Sequence, residues 1–505
     1  MNASIHRRRF LQTGAAAGTL LGMNELSFFS RLGSLSATEV QILPGSVQFR
    51  PEIEPLVRLL EETPRNRLLE VIGARIKKDL SYRDILTALL LAGVRNIQPR
   101  PVGFKFHAVL VVHSAHLASI NSPDSERWIP LFWALDYFKS SQQRDVDEGD
   151  WTMSSVKESE IPPADKARKA FTDAMDHWDV EAADRAVIGL ARSGSADEIF
   201  QLFYHYGSRD YRDIGHKAIY VSNSRRVLEV IGWQHAEPVL RSLAYALLAH
   251  GGENPAHHDY DADRPGRINR EQIGKIRSDW TGGEIKSGVT SEIIQTLRSI
   301  PADETGALVI KHLNAGIHPQ SIWDAVFTFS GELLMRNPGI VSLHAVTTSN
   351  AMHYAFQTCA DDRIRRMLLL QNASFLPLFR QKVLKPSPEQ SLDLLEATEV
   401  DPQEPQAIAE VFREIDKDRL TGAKKALSYL QLGHSPEEFI NTARRYLFLK
   451  GSNSHDYKFS SALLEDYYHV SPAWRYRFLA AGVFNLRGSE GKTNGLVERV
   501  RAALS

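Results

Sequence analysis

Arg192-Ser193-Gly194-Ser195-Ala196-Asp197-Glu198 closes one amphipathic helix and opens another, and that join decides the fold. A glycine just past a helix suits the left-handed stop, and Ser-x-x-Glu is a capping box for the next start. The same punctuation returns at Asn314-Ala315-Gly316 before His318-Pro319-Gln320-Ser321, and at Gln431-Leu432-Gly433 before Ser435-Pro436-Glu437-Glu438. Proline is at home in the first helical position. A fourth stop, Leu91-Ala92-Gly93, is followed instead by Gln98-Pro99-Arg100-Pro101, which predicts a missing or shortened second helix.

Downstream of each stop stands a histidine. The four segments begin Phe106-His107-Ala108-Val109-Leu110, Gly215-His216-Lys217-Ala218-Ile219, Leu343-His344-Ala345-Val346-Thr347 and Ser454-His455-Asp456-Tyr457-Lys458. Ser114 and Asn223 fall seven residues past the first two histidines, and Asn350 and Ser461 six past the others, about two helical turns along. A further amphipathic helix closes each unit, over residues 127–138, 236–248, 362–379 and 473–481.

Strand signals are sparse. The prediction is an all-α protein of four related multi-helix units, at about residues 50–145, 165–250, 290–385 and 405–490, packed as a closed or solenoid-like array. The period of about 100 to 120 residues is too long for a tetratricopeptide or ankyrin repeat, so each unit holds three or four helices. Duplication alone would repeat a histidine, as a packing residue or as a functional one.

The first 37 residues read as an address, and residues 38–500 as the helical domain. Arg7-Arg8-Arg9-Phe10-Leu11-Gln12, followed by the weakly apolar Thr13-Gly14-Ala15-Ala16-Ala17-Gly18, has the pattern of a twin-arginine signal. It predicts export in the folded state through the twin-arginine translocase to the periplasm or beyond. Lys plus Arg number 60 against 61 Asp plus Glu, a balance that argues against a nucleic-acid partner. No mature stretch is apolar enough to predict a membrane span. Cys359 is the only cysteine, which excludes an intrachain disulfide, a thiolate zinc site and an iron–sulfur cluster.

At the histidine segments the chain resembles the questin oxidase-like family. Phe106-His107-Ala108-Val109-Leu110 through Ser114 is similar to that family's Phe-His-Gly-Leu-Ile-Arg-Thr-Ala-His segment, and Leu343-His344-Ala345-Val346-Thr347 to its His-Ala-Val-Thr. His455-Asp456-Tyr457-Lys458-Phe459 resembles a late segment with His, Lys and an apolar residue ahead of a helix. Ala108 stands where the family has Gly, Val111 where it usually has Arg, and Ser114 at its second His. The ordered set spans roughly residues 50–490. The resemblance implies an oxidoreductase performing oxygen-dependent chemistry on an aromatic or polyketide-like small molecule.

Neither a Gly-rich phosphate loop, His-Glu-x-x-His nor Gly-x-Ser-x-Gly occurs, so Rossmann-type flavin or nicotinamide binding, a zincin site and a nucleophile elbow are unsupported. The candidate catalytic residues are His107, His216, His344 and His455, since neutral imidazole is both a metal ligand and a base near pH 7. His113, His116, Asn350 and His353 are candidates for substrate binding. The cofactor stays open; a histidine-bound transition metal would take His107 and His344. On one unbroken helix His113 and His116 would point away from His107.

His257-His258-Asp259-Tyr260-Asp261-Ala262-Asp263 reads as a solvated loop rather than an oxygen-ligand metal site, and Gln143–Asp150 as an acidic connector. Trp128, Phe132, Trp133, Tyr137, Trp233, Trp474, Tyr476 and Phe478 suit core packing or a flat-substrate pocket. An enzyme requires the four histidines to converge with polar companions. A non-catalytic helical-repeat scaffold would leave them in separate cores beside an open groove.

Overall fold

The order of helices follows the punctuation of the sequence. A computed structural model describes residues 45–505, apart from 101–103, 384–389, 404 and 452. The twin-arginine stretch lies outside the described residues. Phe49–Ser505 forms one compact unit.

The first quarter of that unit holds α1 (Glu54–Glu62), α2 (Arg65–Ile76), α3 (Tyr82–Asn96), α4 (His107–Leu110), α5 (Val112–Ile120) and α6 (Ile129–Asp147). Next come α7 (Ala164–His177), α8 (Val180–Ser193), α9 (Ala196–Gly207), α10 (His216–Ile231), α11 (Ala236–Leu248) and α12 (Arg264–Gln272). The third stretch holds α13 (Ser287–Leu297), α14 (Ala302–Asn314), α15 (Pro319–Arg336), α16 (Ile340–Thr358) and α17 (Asp362–Lys382). The last holds α18 (Gln406–Ile415), α19 (Arg419–Gln431), α20 (Pro436–Lys450), α21 (Ser454–Asp466), α22 (Pro472–Ala481) and α23 (Gly495–Leu504). Among the described residues there is no strand, and Glu284 and Ile317 form an isolated bridge. The protein is all-α.

The caps form as local chemistry dictates. Ser195 and Glu198 make the reciprocal capping box at α9, and Ser435 accepts from the Glu438 amide at α20. His318 caps α15 through its ring, accepting from the Gln320 amide, with Pro319 in the first turn. The stops are less uniform than expected. Gly316 (φ +81°) and Gly433 (φ +86°) are left-handed, but Gly194 is extended, at φ −95°. Gly93 is no stop at all: α3 runs through it to Asn96, and a Cβ there would lie 2.9 Å from Val109 Cγ2. That glycine serves the close approach of α4, not a turn. No helix intervenes between α3 and the 3-10 turn at Phe104–Phe106 among the described residues, as the Pro-rich spacer predicts.

Two connectors behave differently from each other. Gln143–Asp150 is mostly the end of α6, and Asp145 is buried, paired with Lys105 (2.7 Å) and accepting from the Gln98 and Trp151 amides. The acidic connector read there is thus corrected: a buried acid anchors the loops at both sides of it. Around Asp259 the loop reading stands, with the acids satisfied by arginines. Asp259 pairs with Arg264 and Arg267, Asp261 with Arg264, and Asp263 with Arg212.

The four helices that carry the histidine segments are packing neighbours in a closed ring. α5 packs on α10, α10 on α16, α16 on α21, and α21 back on α5. In α16 every residue from Ser342 to His353 is buried, among them the polar His344, Thr347, Thr348, Ser349 and Asn350. Its own Ser349 hydroxyl donates to the Ala345 carbonyl, and Ser222 on α10 donates across to Ala351 (2.7 Å). The closing helices α6, α11 and α17 pack on α5, α10 and α16 in turn. α22 instead lies on α15 and α19.

Candidate histidine site

Each leading histidine lies at or near the start of its helix, so the ring of helices brings all four together. His107 and His216 are the first residues of α4 and α10, His455 is the second of α21, and His344 is the fifth of α16. All four are buried, His344 completely. His216 Nε2 lies 3.1 Å from His107 Nε2 and 3.0 Å from His344 Nε2. The His455 ring centroid is 4.8 Å from that of His107 and 5.3 Å from that of His344. A fifth group joins them: Lys458 Nζ, one turn beyond His455, is 3.3 Å from His344 Nε2.

The backbone fixes which ring nitrogen holds the proton at two of these residues. Nδ1 of His216 is 2.6 Å from the Asp213 carbonyl oxygen, and Nδ1 of His344 is 2.6 Å from that of Ile340. A carbonyl only accepts, so both Nδ1 atoms donate and both Nε2 atoms of the neutral rings present lone pairs. Burial, then the charge of Lys458, pushes both imidazoles well below their usual range. The same causes bring His455 down to about 4, and burial brings Lys458 down to about 7.

His216 is held by unusual backbone. Asp213 (φ 60°), Ile214 (φ 48°) and Gly215 (φ +82°) are three consecutive left-handed residues before α10. Such conformations cost on the order of 1–3 kcal/mol each for non-glycine residues and persist only where surroundings enforce them. Here the enforcement is visible. Buried Asp210 pairs with Lys217 (3.3 Å), and the Arg209, Arg212 and Lys217 cations crowd the Trp178 ring at 3.6, 5.0 and 4.8 Å.

The helix carrying His107 breaks at Val111, between α4 and α5. The single unbroken helix considered from sequence is therefore absent. Asn223 donates to the Leu110 carbonyl at that break (3.0 Å). His113 and His116 remain apart from the four-histidine contact. His116 Nδ1 meets the Tyr82 hydroxyl (3.1 Å), and His113 is pushed well below its usual range by burial, then by Arg226. His353 sits among Trp323, Phe327 and His469, at centroid distances of 4.8, 5.0 and 4.9 Å.

Asn350 belongs to a second polar layer further along the same helices. It accepts from Arg226 (3.1 Å) and donates to Glu465 (2.9 Å) and Asp466 (2.7 Å), while Arg226 also donates to both Glu465 oxygens. Burial, then Glu465, pushes Asp466 well above the carboxylate range. Lys458, Arg226, Glu465, Asp466 and His469 are residues that histidine counting misses. Their signal is spacing: Arg226 and Glu465 both lie ten residues past a leading histidine, and Lys458 three past one.

Replacing Arg226 by Met should cost roughly 3 kcal/mol, because Glu465 and Asn350 lose a charged partner in a mostly buried place. A melting temperature equal to the parent's would refute that role.

Some of the expected aromatic residues pack on one another, as Trp128 does on Phe132 (6.3 Å). Trp133 stacks on Tyr457 (3.8 Å) and on Tyr137 (5.0 Å). No helix of the described residues is long and apolar enough to cross a membrane.

Comparison brings no relative. Neither a protein-family model, a curated protein nor a solved structure matches this chain.

Proposed function

We propose that the chain is an exported oxidoreductase of the questin oxidase-like type, oxidising an aromatic or polyketide-like small molecule at its histidine cluster. One observation carries the reading: four histidines from segments more than 100 residues apart, with Lys458, meet in one buried cluster. A non-catalytic repeat scaffold gives no reason for that convergence. Imidazoles kept neutral by burial present unprotonated nitrogens at neutral pH, and a lysine brought down to about 7 can pass a proton in either direction.

In the proposed reaction one atom of molecular oxygen enters the substrate and the other leaves as water. Two electrons and two protons come from an external two-electron donor. The twin-arginine stretch delivers the folded enzyme to the periplasm or beyond.

The test uses the full-length chain produced in a bacterium with a twin-arginine translocase. Its exported fraction is given hydroxylated anthraquinones, oxygen and either a reduced nicotinamide or a quinol. Expected are substrate-dependent oxygen uptake and a product heavier by one oxygen atom, slowed at least about 100-fold by His344→Gln. The Arg7→Lys/Arg8→Lys chain should stay in the cytoplasm. Absence of substrate-dependent uptake across the panel, or an undiminished His344→Gln enzyme, overturns the reading.

A further inference from the structure

We infer that the His107, His216, His344 and His455 cluster is a binding site for one late first-row transition-metal ion, held by imidazole nitrogens. The inference deepens the proposed function by naming the prosthetic group of that same site. It starts from a conflict of lone pairs. His216 Nε2 and His344 Nε2 face each other at 3.0 Å while both Nδ1–H groups are committed to carbonyls. Two lone pairs at that distance repel unless a cation lies between them. His107 Nε2 adds a third nitrogen at 3.1 Å from His216, and Lys458 Nζ reaches the same His344 lone pair. One ring nitrogen each of His107, His344 and His455 lie within 4.8 Å of one another.

These distances suit a metal. With metal–nitrogen bonds of about 2.0–2.1 Å, tetrahedral ligands stand about 3.3–3.4 Å apart. The pairs at 3.0 and 3.1 Å need only a few tenths of an ångström of opening. No substrate atom larger than a small ion fits between nitrogens this close. The outer contacts agree: metal-bound histidines characteristically donate their other ring N–H to a carbonyl or carboxylate, as His216 and His344 do.

The donor set selects the ion. Imidazoles suit copper, zinc, iron and nickel, whereas calcium, magnesium and manganese seek oxygen ligands. Two features oppose a cation. Helix starts converge here, where the macrodipole disfavours positive charge, and Lys458 is adjacent. Bonds from several imidazole nitrogens to one ion outweigh that dipole. Lys458 Nζ, 3.3 Å from His344 Nε2, must turn aside as the ion takes that lone pair. Burial also means that the ion enters as the chain folds, before any folded export.

The experiment purifies the full-length protein from cells grown with added copper, zinc, iron or nickel and measures metal by mass spectrometry. The copper form is then examined by electron paramagnetic resonance for nitrogen hyperfine structure. About one ion per chain is expected, with several imidazole nitrogens on copper. A His216→Gln/His344→Gln chain that retains its helical circular dichroism should fall to about a tenth of that content or less. Substoichiometric metal from all four media overturns the inference, as does a copper spectrum without nitrogen coupling. Because the spectrum is taken on the unaltered protein, misfolding of the variant leaves the test decisive. Metal without oxygen uptake removes the oxidase reading and keeps the site, and oxygen uptake without metal does the reverse.

Discussion

Acidification from pH 6.5 to about 4 is expected to unfold this protein. His113, His216, His344 and His353 are all held well below the ordinary histidine value of 6.5, chiefly by burial. His205 and His455 are brought down to about 4. The sign follows from which state binds protons. Below pH 6.5 the unfolded chain protonates its imidazoles while the folded one does not, so acid favours unfolding until the folded values are reached. A drop from 6.5 to about 4 amounts to roughly 3 kcal/mol per residue for His205 and His455.

Three carboxyls work the other way. Asp213, raised to about 6 by burial, and Asp324 and Asp466, also raised by burial, take up protons in the folded state first and so gain stability as pH falls. Six imidazoles outweigh them, and natural stabilities are only about 5–15 kcal/mol. The check is melting temperature by circular dichroism at half-unit pH steps from 7 to 4. A curve flat to within about 2 °C between pH 6.5 and 4.5 would contradict the burial of these rings.

Gly215→Ala carries the other large effect. A Cβ at Gly215 would lie 2.0 Å from Thr348 Oγ1, 2.7 Å from its Cγ2 and 2.9 Å from its Cβ. Thr348 is fully buried in α16, one turn past His344, and its branched side chain has no free rotamer to retreat into. Relief comes only by moving α10 off α16, which also parts His216 from His344. The clash costs about 1–3 kcal/mol and the left-handed backbone (φ +82°) about 1 more. Calorimetry should show a lowered melting temperature, partly restored by adding Thr348→Ala, which removes the two nearest atoms. A Gly215→Ala protein as stable as the parent would mean that the two helices do not meet this closely.

Those two effects also divide what the sequence reveals from what it conceals. Ser195 with Glu198 and Ser435 with Glu438 are readable because a cap is a contact across three residues. The meeting of the histidines is foreshadowed by their recurrence near the starts of four helices. Gly93 deceives for the opposite reason. Its absent side chain answers Val109, sixteen residues away, and no local rule distinguishes that from a stop. Asp213 and Ile214 are hidden still further. Asp tolerates left-handed backbone but Ile does not, and contacts distant in sequence, such as that of Thr348 with the Ile214 carbonyl, surround them there. Lys458 is legible as a neighbour of His455 on one helix face, but its approach to His344 belongs to the tertiary fold.

The last helix returns to the second. α23 packs against α2, where a Cβ on Gly73 would lie 2.3 Å from the Ala503 carbonyl oxygen, and Arg499 donates to the Arg65 carbonyl (3.1 Å). With histidines drawn from positions 107 to 455, this is a topology of high contact order, whose defining contacts span most of the polypeptide. A nascent chain still lacking α21 has three imidazoles and no lysine to bring together. The centre therefore assembles only after synthesis has passed residue 458.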